Sequence, residues 1–463
     1  MKYLICLLIT GIFSLFSFHG ISQFAHANNW YFGHGAMIQF STGTAVSTGG
    51  STMIAQEGSI THSDASGNLL FYSNGVSDGG DTCAVWNRNH RIMPHGLLTG
   101  LTGYASPMQS GIVVPKPGSA TEYYLFSLDG YENYDTENYK GLTYSIIDMT
   151  LDGGLGDLSV WAVPVNVPAD PYLCEQIAVT KHANGTDYWL VVHESAHANE
   201  NSNEFFVYQI SAAGISEPMS QHIGIDTDPG GIASTMQISA QGNKLAFNYE
   251  VFDFDNATGL LSNPFTVGSW TWGYREFSRS GRYLYVSKLG HGLQQYDLTL
   301  PSGSAPIYTY SDLFGQLQIA PDGKIYVVME NEIDDALGVI NHPELPGAAC
   351  DVVPAVIPLV HGSCDHGLPN FIDYLQGDPA AVLENDADAL LAVYPNVTTD
   401  YFMLQYPGDA GAQVRMLDTG GKVVLDAGVA AGNPVDVREL APGMYVLQIA
   451  IGQQVYVRRL VVE

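Results

Sequence analysis

Basic residues are scarce: 17 Lys and Arg stand against 47 Asp and Glu, a formal charge of −30 over 463 residues. Contacts to phosphate backbones and anionic bilayers need clustered cations, so nucleic acid and acidic membrane surfaces are excluded as partners. Charge of either sign is sparse, at 14%. Beyond the N-terminal segment no apolar run approaches the ~18 residues of a membrane-crossing helix, and no long amphipathic helical period occurs. Phosphate-cradling loops, dinucleotide fingerprints and the G-x-S-x-G nucleophile turn are missing in any matching context. What is abundant is glycine, 50 residues, and tyrosine, 27. That composition suits short strands joined by tight turns.

Residues 1–27 read as a secretory leader: Lys2, an apolar run from Tyr3 to Phe18, then Ala25-His26-Ala27 as the cleavage pattern, with Gln23 an alternative end. Cysteine is rare, five in all, and Cys6 lies within that leader. Four cysteines in an exported chain allow three pairings. Cys350 and Cys364 bracket a short loop rich in Pro and Gly, which favours a bridge between them and leaves Cys83 with Cys174 as a second expected disulfide.

A short unit recurs along the chain: DASGNLLFYS at 64–73, HANGTDYWLV at 182–191, SAQGNKLAF at 239–247, SRSGRYLYV at 278–286 and APDGKIYV at 320–327, with a looser copy at 117–126. Each places a polar residue or proline, then a glycine able to take positive φ, then an alternating strand. The glycines, at 67, 118, 185, 242, 281 and 323, lie 39 to 67 residues apart. That is the period of a four-stranded propeller blade, so residues 28–376 are predicted to form about seven blades of roughly 50 residues. The seventh is expected to be shared between 28–40 and the segment ending at 372, which closes the ring and removes its edges. Acidic, small residues at 377–389 read as a linker, and 390–463 reads as a small β-sandwich with a hairpin turning on Gly420-Gly421.

The terminal unit resembles the type A C-terminal sorting domain of the type IX secretion system of Bacteroidota. The residues that carry the resemblance are VYPN at 393–396, DTGGKVV at 418–424, LAPGMYVLQI at 440–449 and RRLVV at 458–462. It implies that Tyr394, Pro395, Asn396, Gly421, Lys422, Pro442, Gly443, Tyr445, Arg458 and Arg459 form the sorting signal, with the secretion machinery as partner. It also implies a secreted or cell-surface protein. The larger region resembles the propeller of exported Bacteroidota proteins of the gliding-motility-associated or PKD-containing type. This rests on NWYFG at 29–33, VWNRNH at 85–90, QS at 109–110 with VVPKPG at 113–118, LDGGLGD at 151–157, FDFDNATG at 252–259 and GLPNFI at 367–372. That resemblance implies fold and location, and carries no ligand.

Residues 193–197 spell H-E-S-A-H, the pattern of a zinc-protease helix in which His193 and His197 bind metal and Glu194 activates water. The preceding DYWLVV is β-branched and aromatic, and the following ANENSN is poor in helix formers, so the motif is read as the end of a strand. Asp253 with Asp255, and Asp226 with Asp228, are carboxylate pairs able to hold Ca²⁺, but neither has calcium-loop spacing, which favours structural carboxylates. The insert at 131–139, with Tyr131, Tyr134 and Tyr139, is a candidate binding surface, as are His193 and Glu194 at one face of the ring. Trp270 and Trp272 read as blade core. The expectation is an all-β protein, a β-propeller followed by a C-terminal sandwich, acting as an extracellular binding or adhesion module for protein or glycan. The alternative is a propeller polysaccharide hydrolase or lyase, which would need paired carboxylates near the channel.

Overall fold

A computed structural model describes residues 25–372 and 391–462. Excepted are 41–43, 76–82, 99–106, 131–132, 135–138, 169–171, 196–201, 228–233, 269–272, 289–290, 312–313, 330–334, 395–396, 406–410, 419–421, 431–432, 439 and 452–453. Most of the leader, Tyr131, Pro395, Asn396, Gly421, His197, Asp228, Trp270, Trp272 and the linker therefore lie outside the described residues.

Six antiparallel sheets follow one another along the chain, each with its strands in sequence order. Blade 1 comprises Ile60–Ser63, Leu69–Ser73, Ala84–Asn87 and Ile92–Leu97; blade 2 comprises Gly111–Pro115, Glu122–Leu128, Leu142–Asp148 and Asp157–Pro164. Blade 3 is built on Leu173–Lys181, Tyr188–Glu194 and Ser202–Ser211, and the last of these pairs with both Gly214–Ile215 and Met219–Thr227. Blades 4, 5 and 6 start at Gln237–Ile238, Tyr274–Phe277 and Phe314–Ile319. The first strands of consecutive blades lie side by side, so they line the axis.

The repeated turn glycines join first to second strands, as their spacing predicts. At Gly242 φ is +66°, and a Cβ there would meet Thr180 Oγ1 at 2.8 Å. A side chain is thus barred both by backbone strain and by the neighbouring blade.

The seventh blade is composite. Asn29–Phe32 pairs with Ala36–Gln39, and His34 and Gly35 bridge Ser363. Further along the same returning segment, the Gln316 N–H donates to the His366 carbonyl, and Asn370 N–H to Ser59 O at 2.9 Å. Residues 363–370 therefore run between blades 6 and 1, and the two ends of the propeller close the ring.

Seven apolar clusters lie at the seven blade junctions, which fixes the blade count. Phe71 and Val85 meet Leu125 and Ile147 between blades 1 and 2. Phe126 and Tyr124 meet Leu190 and Tyr208 between blades 2 and 3, and Trp189 and Phe205 meet Phe247 and Phe252 between 3 and 4. The remaining junctions, 4 to 5, 5 to 6, 6 to 7 and 7 to 1, repeat the arrangement. Each blade packs both faces against neighbours, so inner strands such as Tyr188–Glu194 and Ile325–Met329 are buried on both sides, whereas outer strands such as Ile92–Leu97 and Leu260–Thr266 keep exposed residues.

This arrangement corrects the expected disulfides. Cys83, Cys174, Cys350 and Cys364 are buried and none is bridged. Cys83 belongs to the junction of blades 1 and 2, Cys174 to 3 and 4, Cys350 to 5 and 6, and Cys364 to 6 and 7. A disulfide needs Cα atoms within about 7 Å. Thiols in four separate cores act instead as small apolar side chains.

The C-terminal unit has two sheets. Ala392–Tyr394, Tyr401–Gln405 and Pro434–Asp436 form one; Val397–Thr398, Gln454–Val462, Gly443–Ile451, Ala412–Leu417 and Val423–Val429 form the other. Phe402, Leu404 and Val435 of the first pack with Val414, Met416, Leu447 and Leu460 of the second. In Ala412–Leu417 buried and exposed residues alternate, as a strand with one wet face requires. The predicted hairpin is present: Asp418 N–H donates to Lys422 O at 3.0 Å, and Lys422 N–H to Asp418 Oδ1 at 2.9 Å.

Candidate functional site: a filled axis and a cleft beside it

Side chains from blades that are not neighbours can touch only across the axis. Gln109, leading into blade 2, donates from Nε2 to Met236 O at 3.2 Å and to Asn370 Oδ1 at 3.3 Å, and its Oε1 accepts from Met236 N–H at 2.8 Å. Asn370, on the returning segment, donates to Gly111 O at 3.1 Å and Ile177 O at 3.3 Å. Two amides thus tie together blades 2, 3, 4 and 7. Beside them Gln176 donates to Ser234 O at 3.2 Å, and Gln316 accepts from Leu368 N–H at 2.6 Å. Arg275, fully buried, donates to Ser234 Oγ at 2.8 Å and to Gly273 O. Burial lowers its pKa to about 9, which still leaves it charged at neutral pH. Among the described residues, polar side chains thus cross the axis and bond blades on opposite sides of it.

A cleft of about 180 Å³ opens beside this plug, between the first strands of blades 1 and 2. One wall is Thr61, His62 and Ser63, another is Val113, Pro115 and Tyr123, and the third is Ala25 and His26 with Phe371 and Ile372. His62 is 7% exposed. Its ring lies 4.8 Å from Tyr123, edge to face, and 5.7 Å from Phe71. Burial, reinforced by His26 nearby and opposed by Asp64, pushes its pKa down to about 3. His26 contacts the Ile372 carbonyl through Nε2 at 3.0 Å, and burial, partly offset by that bond, lowers its pKa to about 4. Both imidazoles are neutral at extracellular pH. At the rim, Asp64 caps its own turn through the N–H groups of Ser66 and Asn68, and Glu122 pairs with Lys116 at 2.9 Å.

The residues singled out from sequence fall elsewhere. His193 and Glu194 end the second strand of blade 3, as the flanking pattern predicts. The His193 ring is 1% exposed and sits between Phe205, at 4.5 Å, and Phe247, at 4.4 Å. Its Nδ1 is 3.7 Å from Cys174 Sγ, a pairing that invites comparison with a catalytic dyad. Burial pushes the thiol up to about 12 and the imidazole down to about 3. The proton stays on sulfur, the reverse of what an activated thiolate requires. Glu194 accepts from Ser202 Oγ.

Tyr134 stacks on Tyr172 at 4.4 Å and donates to Leu173 O, while Tyr139 accepts from Leu173 N–H at 2.8 Å. Two of the three candidate tyrosines thus brace the start of blade 3. Asp253 pairs with Lys244 at 3.2 Å and accepts from Asn263 at 2.9 Å, and the bond from Asn263 chiefly lowers its pKa. Asp255 caps a turn by accepting from Ala257 N–H and Thr258 Oγ1. Among the described residues no group of three or more His, Cys, Asp or Glu is placed to hold a metal ion.

Sequence reasoning missed Gln109, Asn370, Arg275, His62 and Tyr123 as site residues. Gln109 and Asn370 occur within the segments that carry the propeller resemblance, yet nothing local marks them as partners across the ring.

In the C-terminal unit the arginine of the closing motif is structural: Arg458 donates from Nε and Nη2 to Leu391 O at 3.2 and 3.1 Å, tying the last strand to the start of the domain. Tyr445 donates to Ala441 O at 2.6 Å. The family model for the secretion system C-terminal sorting domain matches residues 392–463. This unit is a type IX sorting domain. The protein is accordingly a β-propeller exported by the type IX secretion system to the cell surface or the extracellular space. No helix among the described residues is long and apolar enough to cross a membrane.

Among solved structures, the propeller is similar to a protein described as a 6-phosphogluconolactonase from Bacteroides fragilis. That match has 12% identity, covers 74% of this chain and 97% of that one, and has a TM-score of 0.46. It is also similar to virginiamycin B lyase from Staphylococcus aureus, with 14% identity, coverage of 68% and 88%, and a TM-score of 0.37. A β-propeller domain from Myceliophteria thermophila matches with 12% identity, coverage of 66% and 94%, and a TM-score of 0.40. Identities this low assign no activity to the chain. No curated protein matches it.

Proposed function

We propose that the propeller is an extracellular recognition module, of the adhesion kind, for a protein or glycan, delivered by its sorting domain. The observation that carries this reading is the amide clasp across the axis. A propeller hydrolase or lyase would present paired carboxylates in a central channel, whereas here Gln109 and Asn370 join four blades across it. Glu276, buried on the first strand of blade 5, accepts from the backbone N–H groups of Phe277 and Ile319. The axial plug fixes the blades relative to one another, which suits a rigid surface for binding.

The test is a glycan array and a surface-protein capture assay with the secreted protein, with and without Ca²⁺. Retention of one defined glycan or protein class without turnover supports the reading. Depolymerisation of a polysaccharide by the purified protein would replace it with the enzyme alternative.

A further inference from the structure

We propose that the cleft between blades 1 and 2 is a subsite for one neutral pyranose unit of a glycan, with His62 and Tyr123 as its hydrogen-bonding groups. This deepens the recognition reading above and rests on it. The first ground is a buried polar group facing a cavity. His62 is 7% exposed, lines the cleft, and makes ring contacts to Phe71 and Tyr123 but no hydrogen bond through its ring among the described residues. The ring therefore has hydrogen-bonding capacity that a ligand in the cleft can use.

The second ground is chemical complementarity. A neutral imidazole offers one N–H donor and one acceptor nitrogen, and the Tyr123 hydroxyl adds one of each. Sugar hydroxyls answer both roles at once, which a carboxylate or an ammonium does not. Phe371, Pro115 and Val113 supply apolar wall for the C–H face of a ring. Asp64 at the rim repels anions, Glu122 there is neutralised by Lys116 at 2.9 Å, and no Lys or Arg lines the cleft itself. A cavity of about 180 Å³ holds a single ring rather than a chain. The rest of a glycan would extend past Ala65 and Ala120, both exposed at the rim.

Full-length secreted protein is titrated with methyl β-glucoside, methyl β-galactoside and methyl β-N-acetylglucosaminide, with methyl β-glucuronide as the anionic control. Binding is read by saturation-transfer NMR and calorimetry. At least one neutral glycoside is expected to bind at millimolar concentration and the glucuronide to fail. His62→Phe keeps a ring in place but removes both nitrogens, and should weaken binding about tenfold, the equivalent of about 1.4 kcal/mol. Tyr123→Phe, which removes a single hydroxyl and keeps the packing, should weaken it about threefold. Trp161→Ala, at an exposed residue on the outer strand of blade 2, should change nothing. Absence of binding by every neutral glycoside overturns the subsite, as does binding that neither cleft variant alters. If an array still retains a glycan while both variants bind it normally, the subsite falls and the recognition reading stands. If the variants abolish capture of a protein and no glycoside binds, the pyranose assignment is wrong. If nothing is retained at all, both fall.

Discussion

Gln109 and Asn370 lie 261 residues apart in the chain and 3.3 Å apart on the propeller axis. Their amides join the lead-in to blade 2 with the segment that closes blade 7, and Asn370 also holds the backbone of blades 2 and 3. A ring closed by backbone bridges from Ser363 to His34 and Gly35 and from Pro369 to Ser59 is thereby tied a second time across its axis. Replacing Asn370 by Ala leaves the Gly111 and Ile177 carbonyls without this donor in a buried site. At about 1–3 kcal/mol for each of the two unsatisfied carbonyls, Asn370→Ala should lower stability by about 2–6 kcal/mol, read as a drop in the urea midpoint. A midpoint within error of wild type would show that the amide clasp does not hold the ring.

The four cysteines make a contrasting prediction. Burial pushes Cys174 up to about 12 and Cys350 up to about 11, so neither forms thiolate at neutral pH. A thiol reagent should find none of the four reactive in the native protein and all four reactive in denaturant, and reductant should leave the melting temperature unchanged. Loss of stability on reduction would restore the disulfides that the loop around Cys350 and Cys364 leads one to expect.

That contrast shows what the chain makes legible. A turn glycine followed by an alternating strand is local information, and six such turns at blade spacing disclose the propeller and its approximate number of blades. The sorting domain is legible for a similar reason, since its motifs are contiguous. Cysteine pairing, the plug and the cleft are not local. The cleft is assembled from 61–65, 113–123 and 370–372 with Ala25 and His26, and His62 sits in a strand, ITHS, that reads as ordinary. Likewise, the H-E-S-A-H motif is contiguous and therefore conspicuous, but His193 is wedged between two phenylalanines of a blade junction.

Acid should destabilise the fold earlier than carboxylate protonation alone requires. His62 and His193 are held neutral, with pKa values pushed from 6.5 down to about 3 by burial. Below pH 6.5 the unfolded chain takes up protons that the folded chain refuses. Their stabilising effect is therefore complete above pH 6.5 and is lost as pH falls toward 3. Each contributes a slope of about 1.4 kcal/mol per pH unit in that window. Urea midpoints between pH 6.5 and 5, above the carboxylate range, should fall with pH, and His193→Phe should make the fall shallower. A flat profile across that interval, or one unchanged by the substitution, would refute the assignment.

The packing of residues 25–27 bears on where the leader is expected to end. Ala25 and Ala27 are 7% and 3% exposed, Trp30 Nε1 donates to Ala27 O at 2.9 Å, and His26 reaches Ile372 O at 3.0 Å. Cleavage after Ala27 would strip these contacts from the junction of blades 6 and 7 and remove a wall of the cleft. The mature N-terminus is therefore expected at or before Ala25, close to the alternative end at Gln23. N-terminal sequencing of the secreted protein checks it, and a start at Asn28 would contradict it.

Export is expected to depend on the terminal sandwich being folded as well as present. The sorting family covers 392–463, and Arg458 fastens its last strand to Leu391 O through two guanidinium N–H groups. Deleting residues 386–463 should leave the protein inside the cell envelope, measured by fractionation. Arg458→Met keeps the apolar stem but removes both donors, so it should loosen the domain and reduce secreted protein in proportion to the domain's loss of protease resistance. The propeller has its own closed ring of cores, so its melting transition should not change in that variant. Normal export of the deletion would sink the sorting role. Normal export of an Arg458→Met domain that has become protease-sensitive would show that the machinery reads the motif and not the fold.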